Sequence, residues 1–262
     1  MPTTMLAGKR LLITGVVNTD SIAFATAVAA LDGGAEILLS SLGRDLDAAR
    51  RAAAELPGEV PIVEADLTST EDLEHLAAHI AGTWGHLDGA LHAIAFAPQE
   101  ALAGSFLDAG SQAAARAFDT STFSYASLAR VVAELAPPSG GSIVGLDFDA
   151  AGAWPVYNWM GVCKAGLEAV NRYVARDLGP RRIRSNLIAA GPIHTRAAGG
   201  IPDFQRLTDA WDSTSPLPWD AKDSSPVADT ACFLLSDLSR MISGEILHVD
   251  GGYHAMAAPL RG

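Results

Sequence analysis

The stretch RLLITGVVNTDSIAF, Arg10–Phe24, joins two periodicities across one turn. Arg10–Thr14 is a near-continuous apolar run, the mark of a strand buried on both faces. From Ser21 the chain continues as SIAFATAVAALDGG, an Ala-rich segment that reads as a helix. Between them Gly15 opens a tight turn, and Asp20 or Ser21 is placed to cap the helix. Such a turn leaves free N–H groups near Ser21 and Ile22, where a pyrophosphate finds donors and a favourable dipole. The full G-x-G-x-x-G pattern is absent, because Gly15 alone stands in it. The turn by itself therefore reads equally as a phosphate cradle and as a plain capped helix.

Downstream the same alternation repeats. Further apolar runs are AEILLS (Ala35–Ser40), VPIVEAD (Val60–Asp66), LDGALHAIA (Leu87–Ala95), GSIVGLD (Gly141–Asp147), IRSNLIAA (Ile183–Ala190) and GEILHVDGG (Gly244–Gly252). Helical stretches such as DLDAARRAAAEL lie between them. Strand–helix alternation of this kind predicts an α/β, Rossmann-type, doubly wound parallel sheet of seven strands. No linker or repeat interrupts it, so a single domain over residues 1–262 is expected. One excursion, Gly191 to Asp223, carries Gly, Pro and two Trp but no strand pattern. It reads as a substrate lid over residues 194–222, or alternatively as a surface helix pair that simply packs.

Composition narrows the partners. The chain has 262 residues, 49% of them hydrophobic and 18% charged, with a formal net charge of −12. That is a well-buried globular profile. The acidic balance argues against nucleic acid or an anionic membrane as the main partner. It leaves room for a small anionic ligand held by backbone N–H groups. Two cysteines, Cys163 and Cys232, suggest a reducing compartment rather than a disulfide framework. The start, MPTTMLAGKR, carries no long apolar run, and no uninterrupted stretch of about 18 apolar residues occurs. A cytoplasmic protein is expected. No Cys/His cluster has zinc spacing, so no metal is expected.

Candidate chemistry gathers at three places. In YNWMGVCK, Tyr157 and Lys164 stand two helical turns apart, about 10 Å along an axis, and emerge on one face. They reach toward one bound molecule, or they are a packed aromatic and a snorkelling lysine. At the end of the second strand, SSLGRD has no acid at its tip and places Leu42 and Arg44 there, so the usual ribose rule does not separate NAD from NADP. Asp66, after the third strand, suits an adenine amino group; it also reads as the cap of the helix beginning near STEDLEHL.

SIVGLDFD (Ser142–Asp149), YNWMGVCKAGLEAVNRYVARDLG (Tyr157–Gly179), RSNLIAAGPIHT (Arg184–Thr195) and DGGYH (Asp250–His254), in this order and at these separations, resemble the short-chain dehydrogenase/reductase superfamily. The likeness is to its enoyl-acyl-carrier-protein reductase branch, and within that to the mycobacterial type, over nearly the whole chain. The turn GVVNTDSIAF fits this branch too. The resemblance implies NADH as cofactor, NADPH being the less favoured, and hydride transfer to the C=C bond of a 2-enoyl thioester on acyl carrier protein or CoA. It implies that Tyr157 stabilises the developing enolate by an oxyanion-hole interaction, that Lys164 holds the nicotinamide ribose and favours a tyrosinate, and that Phe148 flanks nicotinamide and substrate. Gly15, Ser21 and Ile22 would meet the pyrophosphate, with Leu42, Asp66 and Leu67 toward adenine. Ile94, Ala95, Gly191, Pro192, Ile193 and Thr195 would line the nicotinamide side, Ile193 taking the carboxamide and Thr195 lying near the phosphates. Met160 would line the acyl pocket. A homotetramer is the family's common state.

Two departures qualify the resemblance. HAIAFAP places Ala93 and Ala95 where the branch often has serine and glycine, and Ala95 adds a methyl group close to the cofactor. The span Thr195–Trp211 is shorter than the mycobacterial substrate loop by roughly ten residues, and apolar wall is what buries extra methylenes. Short or medium acyl chains are therefore expected. Val144–Phe148 contain no serine to polarise a ketone beside Tyr157, which favours C=C over C=O reduction. The alternatives are a reductase of another conjugated or carbonyl compound in specialised metabolism, and a catalytically silent dinucleotide-binding module. The intact Tyr157–Lys164 pair argues against silence.

Overall fold

The computed structural model describes residues 4–196 and 198–259. The expectation of one domain over 1–262 also covers residues 1–3 and 260–262, and the lid over 194–222 covers residue 197; these lie outside the described residues.

One parallel sheet holds seven strands in the order β3-β2-β1-β4-β5-β6-β7. They are β1 (Arg10–Thr14), β2 (Glu36–Ser41), β3 (Ile62–Glu64), β4 (Gly89–His92), β5 (Gly141–Asp147), β6 (Ile183–Ala190) and β7 (Ile246–Val249). The helices are α1 (Ile22–Asp32), α2 (Leu46–Ala53), α3 (Thr70–Trp84), α4 (Gln99–Leu102), α5 (Ser111–Phe118), α6 (Ser124–Leu135), α7 (Asn158–Leu178), α8 (Gln205–Thr214) and α9 (Ser225–Leu235). A π-helical turn, Asp119–Phe123, joins α5 to α6.

Alternation along β1 builds two cores. Leu11 and Ile13 face one side with Leu39, Ala27, Ala30, Ala231 and Leu234. Leu12 faces the other with Leu38, Leu76, Ile80, Leu128, Ile143 and Leu167. Each fully buried Leu or Ile contributes about 1.5–3 kcal/mol relative to exposure. Small residues on α1 let it lie close against α9.

The seven apolar runs are the seven strands, but four of them differ in their ends. β2 is shifted one residue toward the C-terminus, to Glu36–Ser41. β3 begins only after Pro61, which has no N–H for the ladder although its carbonyl accepts from Leu39 N at 2.9 Å. β4 stops at His92 because the Ala93 N–H donates to the Thr14 hydroxyl at 3.1 Å instead of to a neighbouring strand. β7 is an edge strand reduced to four residues, Ile246–Val249. The reversal of strand order between β1 and β4 opens a crevice at the carboxyl ends of the strands, where such folds bind ligands.

Candidate active site

The Ser21 side chain caps α1, accepting from Phe24 N at 3.1 Å. Asp20 does not take this role. The cap leaves the first N–H groups of α1 without intrahelical partners, directed at the crevice. Gly15 reaches the turn with φ +81°, and a Cβ there would stand 2.1 Å from the Ala93 carbonyl oxygen. The single glycine thus serves a close approach of β1 to β4.

Asp66 does not cap α3. Ser69 does, accepting from Asp72 N at 3.3 Å, while the Asp66 carboxylate accepts from Thr68 N at 2.9 Å and stands at the cavity edge. Arg44 and Arg196 line the same end, and both guanidinium groups face Asp45, at 3.5 and 2.8 Å.

Tyr157 is the N-cap residue of α7 and sits between two non-glycine residues at positive φ, Val156 at +59° and Asn158 at +39°. A β-branched residue in that region is strained backbone, held here by tertiary contacts. The Asn158 side-chain amide donates to Leu102 O at 2.8 Å, tying the strained corner to α4. Along α7 the buried positions are Met160, Cys163, Lys164, Leu167 and Asn171, the spacing of one helical stripe. Lys164 is therefore drawn in toward the sheet, 5% exposed, and is not a snorkelling surface lysine. Its ammonium donates to Leu146 O at 2.7 Å.

A single cavity of about 740 Å³ runs from the α1 turn to Tyr157. Gly15, Ser21, Ile22, Leu42, Asp66, Leu67, Ile94, Ala95, Phe148, Tyr157, Met160, Lys164, Gly191, Pro192, Ile193 and Thr195 all line it. The Phe148 ring centre lies 5.0 Å from that of Tyr157. Leu207 of α8 and Phe204, its N-cap residue, complete the wall.

The electrostatics differ from expectation in one respect. Burial, and then the nearby Asp147 carboxylate, push the Tyr157 phenol above its ordinary range, so it stays a neutral O–H donor and no tyrosinate is favoured. Burial lowers Lys164, while Asp147 opposes that shift.

Sequence reasoning missed Asp147 itself. It ends β5 at 5% exposure with neither carboxylate oxygen hydrogen-bonded, and burial raises it to about 7. The signal was an acid closing an otherwise apolar run. His92, one strand away, is also buried; its Nε2 meets the Ser124 hydroxyl at 2.8 Å, and burial, then Lys164, lower it to about 3. Trp154, Trp211 and Tyr253, behind Phe148, were also passed over.

A crevice at the switch point, an open helix N-terminus and a carboxylate at the cavity edge form a set of donors and an acceptor that fits a dinucleotide. This is the site of a doubly wound, dinucleotide-binding α/β protein. The sequence profile described as enoyl-(acyl carrier protein) reductase matches residues 15–254, and the chain belongs to that family. It is 42% identical to the NADH enoyl-acyl-carrier-protein reductase of Mycolicibacterium smegmatis, over 95% of this chain and 97% of that protein. It is 41% identical to the corresponding proteins of Mycobacterium avium (95% and 97% covered) and of Neisseria meningitidis (98% and 99% covered). Among the described residues no helix is long and apolar enough to cross a membrane.

Proposed function

We propose that the protein reduces the C=C bond of a 2-enoyl thioester, carried on acyl carrier protein or CoA, in fatty-acid synthesis or a related acyl pathway. NADH, when bound, supplies the hydride. Ser21, Ile22 and Thr195 hold its phosphates, Asp66 and Leu67 its adenine, and Lys164 a ribose. Tyr157 then donates a hydrogen bond from its O–H to the thioester oxygen as the electron pair moves there, stabilising charge where it develops, and the enolate collapses to the saturated thioester as its α-carbon takes a proton from solvent. Phe148 packs against the reacting end of the acyl group, and Met160 lines its path.

The observation that carries this reading is that β5 presents no serine hydroxyl beside Tyr157. Val144–Phe148 contain no serine, and Ser142, fully buried earlier on β5, donates away from the cavity to Leu234 O at 2.7 Å. A ketone receiving hydride at its own carbonyl carbon would lack a second donor, whereas a conjugated thioester needs one. For the cofactor, NADH is favoured over NADPH because Arg44 and Arg196 already face Asp45 rather than standing free for a 2′-phosphate.

Residues 194–222 serve as the lid in this reading, and their brevity suits short or medium chains. The free, buried Cys163 and Cys232 suit the cytoplasm. A homotetramer is supported by an apolar groove of about 510 Å³ on the outer face of α5 and α7, lined by Phe118, Phe123, Trp159 and Val162.

Loss of NADH absorbance with 2-enoyl thioesters of four to sixteen carbons tests the activity, with a 3-oxoacyl thioester and Tyr157→Phe alongside. Turnover confined to the enoyl series supports it. Turnover of the 3-oxoacyl compound alone would transfer the assignment to a carbonyl reductase.

A further inference from the structure

Among the described residues no side chain hydrogen-bonds the Tyr157 hydroxyl. Where that O–H points is therefore set by the backbone that carries the ring and by the groups packed around it. The backbone is unusual here. Tyr157 is right-handed, at φ −107° and ψ −26°, between two left-handed neighbours, Val156 at φ +59° and Asn158 at φ +39°. Such a corner persists only where surrounding contacts over-determine it.

The polar contacts come from one segment. The Asn158 side-chain amide donates to Leu102 O at 2.8 Å and to Gly104 O at 3.3 Å. The Trp159 indole N–H donates to Phe106 O at 3.2 Å, and the Trp159 ring stacks on Phe106 at 5.0 Å, centre to centre. Two adjacent residues of α7 thus hold three backbone carbonyls of the segment that follows α4. That segment has little order of its own to draw on, since α4 is four residues long and a helix so short is unstable alone. It nevertheless builds a cavity wall: Pro98, Gln99 and Leu102 line the cavity, and Leu102 shares one apolar cluster with Phe148, Tyr157 and Met160. Asparagine suits both tasks. It tolerates the left-handed region better than most residues with a side chain, and its amide offers two N–H donors.

Resting on the reductase reading above, we infer that Asn158 is a positioning residue for that reaction: its amide clamps residues 102–104 to the start of α7, and so fixes both the Tyr157 hydroxyl and the α4 wall of the cavity. It acts through Tyr157 rather than on the reacting atoms.

The test uses two variants, each checked for folding by circular dichroism. Asn158→Gly keeps the left-handed backbone and deletes both bonds. Asn158→Asp keeps the shape but turns an acceptor toward the two carbonyls. Hydrogen-exchange mass spectrometry follows residues 98–106, where exchange is expected to quicken about tenfold in both variants. With a 2-enoyl thioester, kcat is expected to fall about 10²-fold, the cost of a misplacement near 1 Å. The NADH dissociation constant, read by fluorescence titration, is expected to stay near wild type. Unchanged kcat in a folded variant overturns the inference, and so does unchanged exchange in residues 98–106. NADH affinity lost in proportion to kcat would mean general structural damage and would overturn it too. A wild type that reduces no enoyl thioester would retire the reductase reading, and the clamp would then stand or fall on the exchange of residues 98–106 alone.

Discussion

The Lys164 ammonium donates to the Leu146 carbonyl at 2.7 Å, joining the middle of α7 to the end of β5 directly beneath the cavity. One of three N–H donors is thereby used for position, and the others remain for a ligand. The bond also explains how a charged group is tolerated at 5% exposure: it supplies a partner, and the Asp147 carboxylate next along β5 supplies opposite charge.

That division of labour separates Tyr157 from Lys164 in kinetics. Tyr157→Phe keeps the ring and deletes one transition-state donor. It is expected to lower kcat by about 10²–10³-fold while the NADH dissociation constant, read by fluorescence titration, stays near wild type. Lys164→Ala is expected to weaken NADH binding and turnover together. Equal NADH weakening in both variants would contradict the assignment.

Asp147 and His92 impose opposite pH slopes on stability. Asp147 titrates near 7 in the fold against 3.8 ordinarily, so the folded state holds its proton more tightly and stability falls as pH rises between those values. His92 titrates near 3 against 6.5, so the fold excludes the proton and stability falls as pH drops through that window. Between about 4 and 6.5 the two slopes oppose, each at most about 1.4 kcal/mol per pH unit. Lys164, Glu168 and Asp149 also bear on Asp147, and Lys164 on His92. Asp147→Asn should uncover the His92 slope, with stability rising from pH 4.5 to 6.5. His92→Gln should uncover the reverse. Urea unfolding across this range decides it, and parallel curves for all three proteins would refute both assignments.

Gly15 and Gly85 offer a matched comparison. Both have positive φ, +81° and +77°, but a Cβ meets the Ala93 carbonyl oxygen at 2.1 Å in the first and nothing within 4 Å in the second. Gly85→Ala should cost only the left-handed backbone strain, about 1 kcal/mol. Gly15→Ala should cost clearly more, about 2 kcal/mol or above, and should weaken NADH binding. Equal losses in thermal unfolding would show that the close approach to β4 carries no weight.

Much of this architecture was legible in the chain because the strands of a doubly wound sheet are buried on both faces and appear as apolar runs. The ends of four strands were not, since a side-chain contact such as Thr14 to Ala93 N decides where a ladder stops. Tyr157 and Lys164 were visible as a spacing, but only resemblance distinguished them from packing residues. The stretch VGLDFD was read for its missing serine, and Asp147 within it went unassigned. Trp154, Trp211 and Tyr253 were invisible as a group because segments distant in sequence must fold before the rings meet.

The outer face of α5 and α7 gathers exposed apolar side chains around one groove. Phe118 and Val162 are 40% and 41% exposed, and Phe123 is 44% exposed. Phe106 stacks on Trp159 at 5.0 Å beside them. A contiguous apolar patch of this kind on parallel-sheet helices is covered most simply by the same patch on a second copy, face to face about a two-fold axis. Val162→Asp places a charge at its centre without touching the cavity side of α7. Sedimentation is expected to show a smaller species than wild type. An unchanged sedimentation coefficient would mean that the copies, if they associate, do so through another face.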